Sequence, residues 1–231
     1  IYAPGGGYVR VAAGVNGAYD ELQPNSGCVY VYTRSGMTWS YHSYIKAQNP
    51  GMDDQFGQTS TLGLDDLGRT LVVGALLSDA NGTDSGAAYV YSSDGTFWSF
   101  MTALEADNAD PGDRFGTGVA ISGDGLHIGV TAPLEDSRSV LDPTSNAEVD
   151  AGAAYVFDLL EQAWVQAVFL KASFPYTGFF FGRRAIALSS DGSVIAVTSQ
   201  DWGSAGGVYV NGDRSGRTRP DSPGAAYIFE R

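Results

Sequence analysis

Gly86-Ala87-Ala88-Tyr89-Val90-Tyr91 decides the fold, because the same phrase returns three more times along the chain. It stands earlier as Gly27-Cys28-Val29-Tyr30-Val31-Tyr32. It stands later as Gly152-Ala153-Ala154-Tyr155-Val156-Phe157 and Gly224-Ala225-Ala226-Tyr227-Ile228-Phe229. Twenty residues after the first three glycines come Ala47, Ala106 and Ala172, closing Ile45-Lys46-Ala47, Leu104-Glu105-Ala106 and Leu170-Lys171-Ala172. Nine residues further on come Phe56-Gly57, Phe115-Gly116 and Phe181-Gly182. A register held at this spacing marks an array of supersecondary units, each burying its apolar face against the next.

Within each unit the punctuation predicts strands. After Phe-Gly comes an apolar run, then a turn, then a second apolar run. The turns contain Asp65-Asp66-Leu67-Gly68, Asp124-Gly125 and Asp191-Gly192. Glycine accepts the positive φ that a tight hairpin turn demands. The second runs are Leu71 to Ala75, Ile128 to Ala132 and Ile195 to Ser199, with a weaker copy at Val9 to Ala13. The Tyr-Val-Tyr phrase supplies a third strand, and Trp39 to Ala47, Trp98 to Ala106 and Trp164 to Ala172 a fourth. In that last strand strict alternation predicts Trp39, Tyr41, Ser43 and Ile45 on one face, with Ser40, His42, Tyr44 and Lys46 on the other. The fold class is therefore all-β, a β-propeller of four-stranded antiparallel blades within a single domain over 1–231. The blades run approximately 1–47, 55–106, 114–172 and 180–231. The two middle blades read as complete and the outer two as incomplete. The first has a stub of strand one in Ile1 to Pro4, and the last ends after strand three, leaving Ala225, Tyr227 and Phe229 on an open, apolar edge suited to pairing with another chain.

Length varies in one place. The gap between strands two and three is Gly14 to Ser26, Leu76 to Ser85, Pro133 to Ala151 and Gln200 to Pro223 in the successive units. Insertions confined to one loop of each repeat map to one face of a propeller, often its binding face.

Phe-Gly, then a Gly-Ala pair, then Gly-x-x-Tyr-Val-Tyr resembles the FG-GAP repeat of integrin alpha-subunit heads, and the resemblance covers almost the whole chain. It implies Phe-Gly strands lining the propeller axis and a role in extracellular or cell-surface adhesion or ligand binding, without catalysis. Many integrin repeats carry a calcium cage between strands one and two. Here that loop has shrunk to the Asp-Gly turn, short of the six to eight oxygens calcium takes. The last repeat departs further, with Phe179-Phe180-Phe181-Gly182 in place of Asp-x-Phe-Gly and Thr198-Ser199 in place of Gly-Ala.

Composition narrows the partners. The 231 residues hold 26 acidic and 13 basic side chains, a formal charge of -13. Such a surface repels phosphate backbones and anionic membranes, so neither nucleic-acid binding nor membrane insertion is expected. No stretch approaches a membrane-spanning run of apolar residues. Cys28 is the sole cysteine, so no intrachain disulfide exists, and its place in the repeat points to packing. Opening on Ile1 instead of Met suggests a processed product or a fragment of a longer integrin-like propeller.

Candidate site residues are few. His42 and His127 fall in different repeats without metal or catalytic spacing, and no serine sits in a nucleophile elbow, so no catalytic residue is expected. Asp107, Asp110 and Asp113, in the Asp107-Asn108-Ala109-Asp110-Pro111-Gly112-Asp113 loop, could hold a hard cation such as calcium. Alternatively that loop is a turn whose carboxylates bond their own backbone. Asn81-Gly82-Thr83 fits the glycosylation sequon. Asn211, Asp213 and Arg214, with Arg217 and Arg219, form a basic spot suited to an acidic neighbour. The aromatics from Phe174 to Phe181 could stack on sugars or pack in the core. The expected function is a non-enzymatic extracellular or cell-surface module for adhesion or assembly. Its partners are copies of itself, forming rings or filaments through completed blades, or other surface proteins. The alternative is a lectin-like propeller binding glycans.

Overall fold

Among the described residues, glycine-bearing turns separate sixteen short strands in four sheets. The computed structural model describes residues 2–3, 7–14, 23–58, 61–173, 175–199, 207–210 and 225–231. The first sheet joins β1 (Tyr2–Ala3), β2 (Gly7–Gly14), β3 (Cys28–Ser35) and β4 (Thr38–Ile45) in that order. The second joins β5 (Leu62–Leu64), β6 (Thr70–Ala75), β7 (Ala87–Ser93) and β8 (Trp98–Leu104). The third joins β9 (Gly118–Ile121), β10 (His127–Ala132), β11 (Ala153–Leu160) and β12 (Ala163–Leu170). All pairs in these three are antiparallel neighbours in sequence, the up-and-down order of a propeller blade.

The fourth sheet corrects an expectation. Its order is β13 (Phe181–Leu188), β14 (Val194–Ser199), β16 (Ala225–Glu230), β15 (Gly207–Val210). The strand carrying Ala225, Tyr227 and Phe229 is not an open edge. It lies between β14 and β15, with β15 pairing in parallel from Gly207↔Ala225 to Val210↔Ile228. The long connection between strands two and three thus supplies its own outer strand. Parallel pairing of successive strands needs a connection of about a dozen residues, and fourteen separate Val210 from Ala225 in sequence.

The outer strands also depart from strict alternation. In β4 the register slips between Val31 and Tyr32, so His42 is an extra residue opposite the pair. Tyr41 then opposes Tyr32 and Ser43 opposes Val31, which puts Trp39 and Tyr41 on the face opposite Ser43 and Ile45. The same bulge recurs at Met101 in β8 and Ala167 in β12. One inserted residue reverses every side chain beyond it.

Apolar residues fill the seams between sheets. Val29 and Val31 of the first sheet pack with Phe56, Leu71, Val73 and Tyr89 of the second. Val90 and Leu104 pack with Phe115, Val119 and Ile128, and Val156 and Leu170 with Phe181, Ile186 and Ile195. The repeated Phe stands edge-on to the repeated Tyr of its own sheet: Phe56–Tyr89 at 5.6 Å, Phe115–Tyr155 at 5.4 Å and Phe181–Tyr227 at 5.3 Å. That geometry sets the positive ring edge of one against the negative face of the other.

Backbone contacts fix the sheets to one another. The amides of Phe56, Phe115 and Phe181 donate to the carbonyls of Ser26, Ser85 and Ala151 at 2.9, 2.8 and 3.0 Å. Gln55, Arg114 and Phe180 donate likewise to Asn25, Asp84 and Asp150. All six residues of this second set have φ between 53° and 58°. The intervening Gly27, Gly86 and Gly152 have φ near 80° and touch the next sheet's Phe directly. On the opposite end the hairpin turns meet. Asp66 N donates to Gly123 O at 3.1 Å and Asp124 N to Ser190 O at 2.9 Å. At the rim between the third and fourth sheets, Arg231 grips Asp158 with both terminal nitrogens, at 2.8 and 2.5 Å, and His127 Nδ1 lies 2.7 Å from the same carboxylate.

A Cβ on Gly86 would stand 2.0 Å from Phe115 O and 2.6 Å from Phe115 N, with φ at +82°. Gly86→Ala is therefore expected to cost well over about 3 kcal/mol, beyond ordinary surface substitutions, as read by urea unfolding. Gly36 also has positive φ, but nothing lies within 4 Å of its Cβ position. Gly36→Ala should lose only about 1 kcal/mol of backbone preference. Equal losses at the two sites would contradict the close-contact account.

Candidate functional site

The inner strands begin where the second strands end, and the space between those segments is concave. A cavity of about 460 Å³ opens there, walled by equivalent pieces of three successive sheets. The second sheet contributes Gln58 and Leu76, and the third Arg114, Thr117, Pro133 and Leu134. The fourth contributes Phe180, Arg183 and Arg184. No wall residue is acidic, although the chain carries twice as many acidic as basic residues.

Local geometry explains how these side chains arrive. Arg114 and Phe180 occupy the positive-φ position just before the repeated Phe, fixed by the backbone bonds to the preceding sheet. Arg183 and Arg184 sit on a bulge. Between Phe181↔Ser199 and Ile186↔Val197 the inner strand spends five residues against two on its partner. The corresponding stretch of the third sheet is shorter by one residue, four from Phe115 to Val119. Ala185 N donates to Thr198 Oγ1 at 3.0 Å and pins the excursion. The guanidinium of Arg183 lies 4.7 Å from the centre of the Phe180 ring.

Beside the cavity the loop between β10 and β11 carries a buried polar network. Glu135 and Lys171 are both almost fully buried and pair at 2.5 Å. Asn108 donates to Glu135 at 3.1 Å and to Pro143 O at 2.7 Å, and accepts from the Tyr155 hydroxyl at 3.1 Å. Burial lowers the pKa of Lys171, and Glu135 opposes that shift. The repeat had aligned Lys171 with Lys46; in its own sheet Lys46 reaches Ser26 instead.

The candidates from sequence do not converge. Asp107 is exposed, and its backbone amide donates to Gln166 Oε1 at 3.1 Å. Asp110 is half-buried, and its amide donates to Asp113 Oδ2 at 2.9 Å. Asp113 is buried, and the equivalent Asp54 accepts from Gly51 N in the same way. The Asp of Asp-x-Phe-Gly thus caps its own turn. Among the described residues no group of three or more His, Cys, Asp or Glu side chains is placed to hold a metal ion. In the Asp-Gly hairpins, Asp65 accepts from Arg69 N and Thr70 N, and Asp191 from Ser193 N.

Asn81 is exposed in the loop between β6 and β7, with its amide donating to Glu105 at 2.5 Å. Asn211, Asp213 and Arg214, like Arg217, Arg219 and Phe174, lie outside the described residues. Phe179 and Phe181 are fully buried against Tyr227, so they form core and offer no exposed stacking platform. His42 bonds Ser43 and His127 bonds Asp158, in different sheets. The arginine cavity was missed from sequence. Its one signal was the pair Arg183-Arg184 directly after Phe181-Gly182.

Burial, joined by the charges of Glu135, Asp110 and Asp136, pushes the Asp113 carboxyl up to about 7. Its folded pKa is above its unfolded value, so the native state holds the proton longer and stability falls as pH rises from about 4 to about 7. Asp113→Asn keeps an acceptor for Asp110 N and removes the charge. Thermal unfolding should show the variant stabilised at pH 8, by up to roughly 3 kcal/mol, with the gain vanishing towards pH 4. Removing one member of the buried pair, as in Lys171→Met, should cost about 3–5 kcal/mol, much of it recovered in Lys171→Met/Glu135→Leu.

Known proteins bear on the repeat and the fold. The FG-GAP repeat model matches residues 39–91 and 98–157. Each match runs from the outer strand of one sheet to the third strand of the next, so the sequence unit is offset by one strand from the blade. No curated protein matches the sequence significantly. Among solved structures, the crystal structure of the tricorn protease aligns at 13% identity with a TM-score of 0.37. That alignment covers 81% of this chain and 19% of that one, so this chain spans about a fifth of the protein it matches. The registers of Phe-Gly, Gly-Ala and Gly-x-x-Tyr, the four-stranded sheets they build and the match over 39–157 agree: the chain belongs to the FG-GAP repeat family.

Proposed function

We propose that this chain is a non-catalytic extracellular or cell-surface module that mediates adhesion or assembly through the face carrying its variable loops. The observation behind the reading is a concentration of features on that face. The loops between β6 and β7 and between β10 and β11, the start of the inner strands that follow the clasps and the arginine-walled cavity all lie at the same end of the sheets. The loop between β10 and β11 presents Val140, Leu141 and Val149 to solvent, with Leu141 92% exposed. Exposed apolar side chains rimmed by polar ones mark interaction surfaces. The opposite end is built of short turns whose carboxylates are engaged by their own backbone. Among the described residues no helix is long and apolar enough to cross a membrane.

The covered edge of the fourth sheet moves the contact away from blade completion at Ala225 to Phe229 and towards the loops. A net charge of -13 opposes self-association at low ionic strength. Assembly through an apolar loop should therefore strengthen with salt, as screening weakens the repulsion while burial persists. Light scattering with negative-stain microscopy on the purified chain is expected to show mass above 24.3 kDa that rises with concentration and salt. Val140→Ser/Leu141→Ser should reduce it. A monomer under all these conditions, unable also to bind a cell or matrix surface, would overturn the reading.

A further inference from the structure

Three arginines and no acid give the wall of the cavity at the start of the inner strands a positive charge, on a chain whose net charge is -13. Arg114, Arg183 and Arg184 wall it together. Among the described residues none of the three guanidiniums donates a hydrogen bond to a side chain or carbonyl, and none enters an ion pair. Each offers five N–H donors in a fixed planar fork, a shape that matches a carboxylate through two parallel bonds. The Asp150 carboxyl feels both Arg114 and Arg183 yet is raised in pKa, mainly by burial and then by Asp136. It is not part of the wall.

Two of the three arginines are delivered by irregular backbone. Adjacent residues of a regular strand point to opposite faces, whereas the bulge over 182–185 lets Arg183 and Arg184 share one cavity. Bulges of this kind re-aim side chains beside binding sites. Beside Gln58 and Thr117, the rest of the wall is apolar: Leu76, Pro133, Leu134 and the half-buried ring of Phe180, on which Arg183 stacks. A volume of about 460 Å³ suits a small organic group or the tip of a peptide.

We infer that this cavity is a binding site for a carboxylate carried on an apolar body. The arginine forks take the carboxylate and the Phe180, Leu134 and Pro133 wall takes the apolar part. The inference deepens the proposed binding face, resting on it for the location of the site and adding the ligand's chemistry. The carboxylate can come from a partner's peptide chain or from a free organic acid, and the two are separable by experiment.

The probes are 3-phenylpropionate and an acetylated tripeptide ending in a phenylalanine carboxylate, each compared with its neutral amide by calorimetry and by NMR of the arginine side chains. Both carboxylates are expected to bind and both amides to bind at least tenfold more weakly. The free acid binding better assigns a metabolite-like ligand, and the peptide binding better assigns a partner protein. Arg183→Gln and Arg184→Gln should each weaken the carboxylate at least tenfold. Arg69→Gln, which removes the same charge from an exposed turn elsewhere, should leave binding unchanged. Equal binding of acid and amide, no binding of either acid, or equal losses in all three variants would overturn the inference. If the acids fail while the chain still self-associates through Val140 and Leu141, only the ligand assignment falls. If the acids bind and no assembly or adhesion occurs, the adhesion reading falls and the pocket stands.

Discussion

The structure depends on a backbone clasp between neighbouring sheets, at which a glycine of one sheet lies against the phenylalanine of the next. Gly27, Gly86 and Gly152 each place their Cα where a Cβ would meet the carbonyl oxygen of Phe56, Phe115 or Phe181 within 2.0–2.4 Å. That approach allows the amide of the phenylalanine to reach the carbonyl just before the glycine. The flanking residues accept left-handed backbone at a cost of order 1 kcal/mol each. Hydrogen bonds and the burial of the phenylalanine ring offset it. Because the contact is main chain against main chain, it sets the spacing of sheets whatever the loops contain. The T-shaped Phe–Tyr pair then orients the inner strand on its own sheet.

A consequence is that the two ends of the propeller have different freedom. At the hairpin end the turns bond to one another across sheets, Asp66 to Gly123 and Asp124 to Ser190, so their length is constrained. At the clasp end the chain enters each inner strand from a fixed point, but the loop leaving the second strand is free to grow. The third sheet uses that freedom to bury an ion pair, Glu135 with Lys171, under an asparagine that also ties Tyr155 and Pro143. The fourth sheet uses it to fold back a strand of its own.

The repeat, the turns and the sheets were legible because each rests on local chemistry. A glycine at fixed spacing reports a positive φ, and an Asp-Gly between apolar runs reports a hairpin. The covering of β16 was not legible, since Gly207–Val210 pairs with residues reached through a crossover and nothing local marks a parallel partner. Strict alternation failed in β4 because a bulge at His42 leaves no compositional trace, and one residue is enough to reverse Trp39 and Tyr41. The acidic loop at Asp107 to Asp113 drew attention by its charge, and yet burial turned Asp113 inward to cap its own turn. The arginine cavity was hidden for the opposite reason. Its residues lie far apart in sequence, and they meet only because three sheets bring equivalent segments to one place.

That meeting follows from the clasp. The residue before each phenylalanine must take left-handed backbone to make its bond to the preceding sheet, and in the third and fourth sheets its side chain then reaches the shared cavity. The fold fixes the position of this residue without choosing its identity: it is Gln55, Arg114 and Phe180 in three successive sheets. The stretch just after Phe-Gly is equally permissive, spanning six residues from Phe56 to Leu62, four from Phe115 to Val119 and five from Phe181 to Ile186. In the fourth sheet the added residue bulges towards the cavity while the apolar seam beyond it keeps its register. Ligand chemistry can therefore change at these positions with little cost to the core, and two arginines on one bulge, facing a third on a clasp, are the form it takes in this chain.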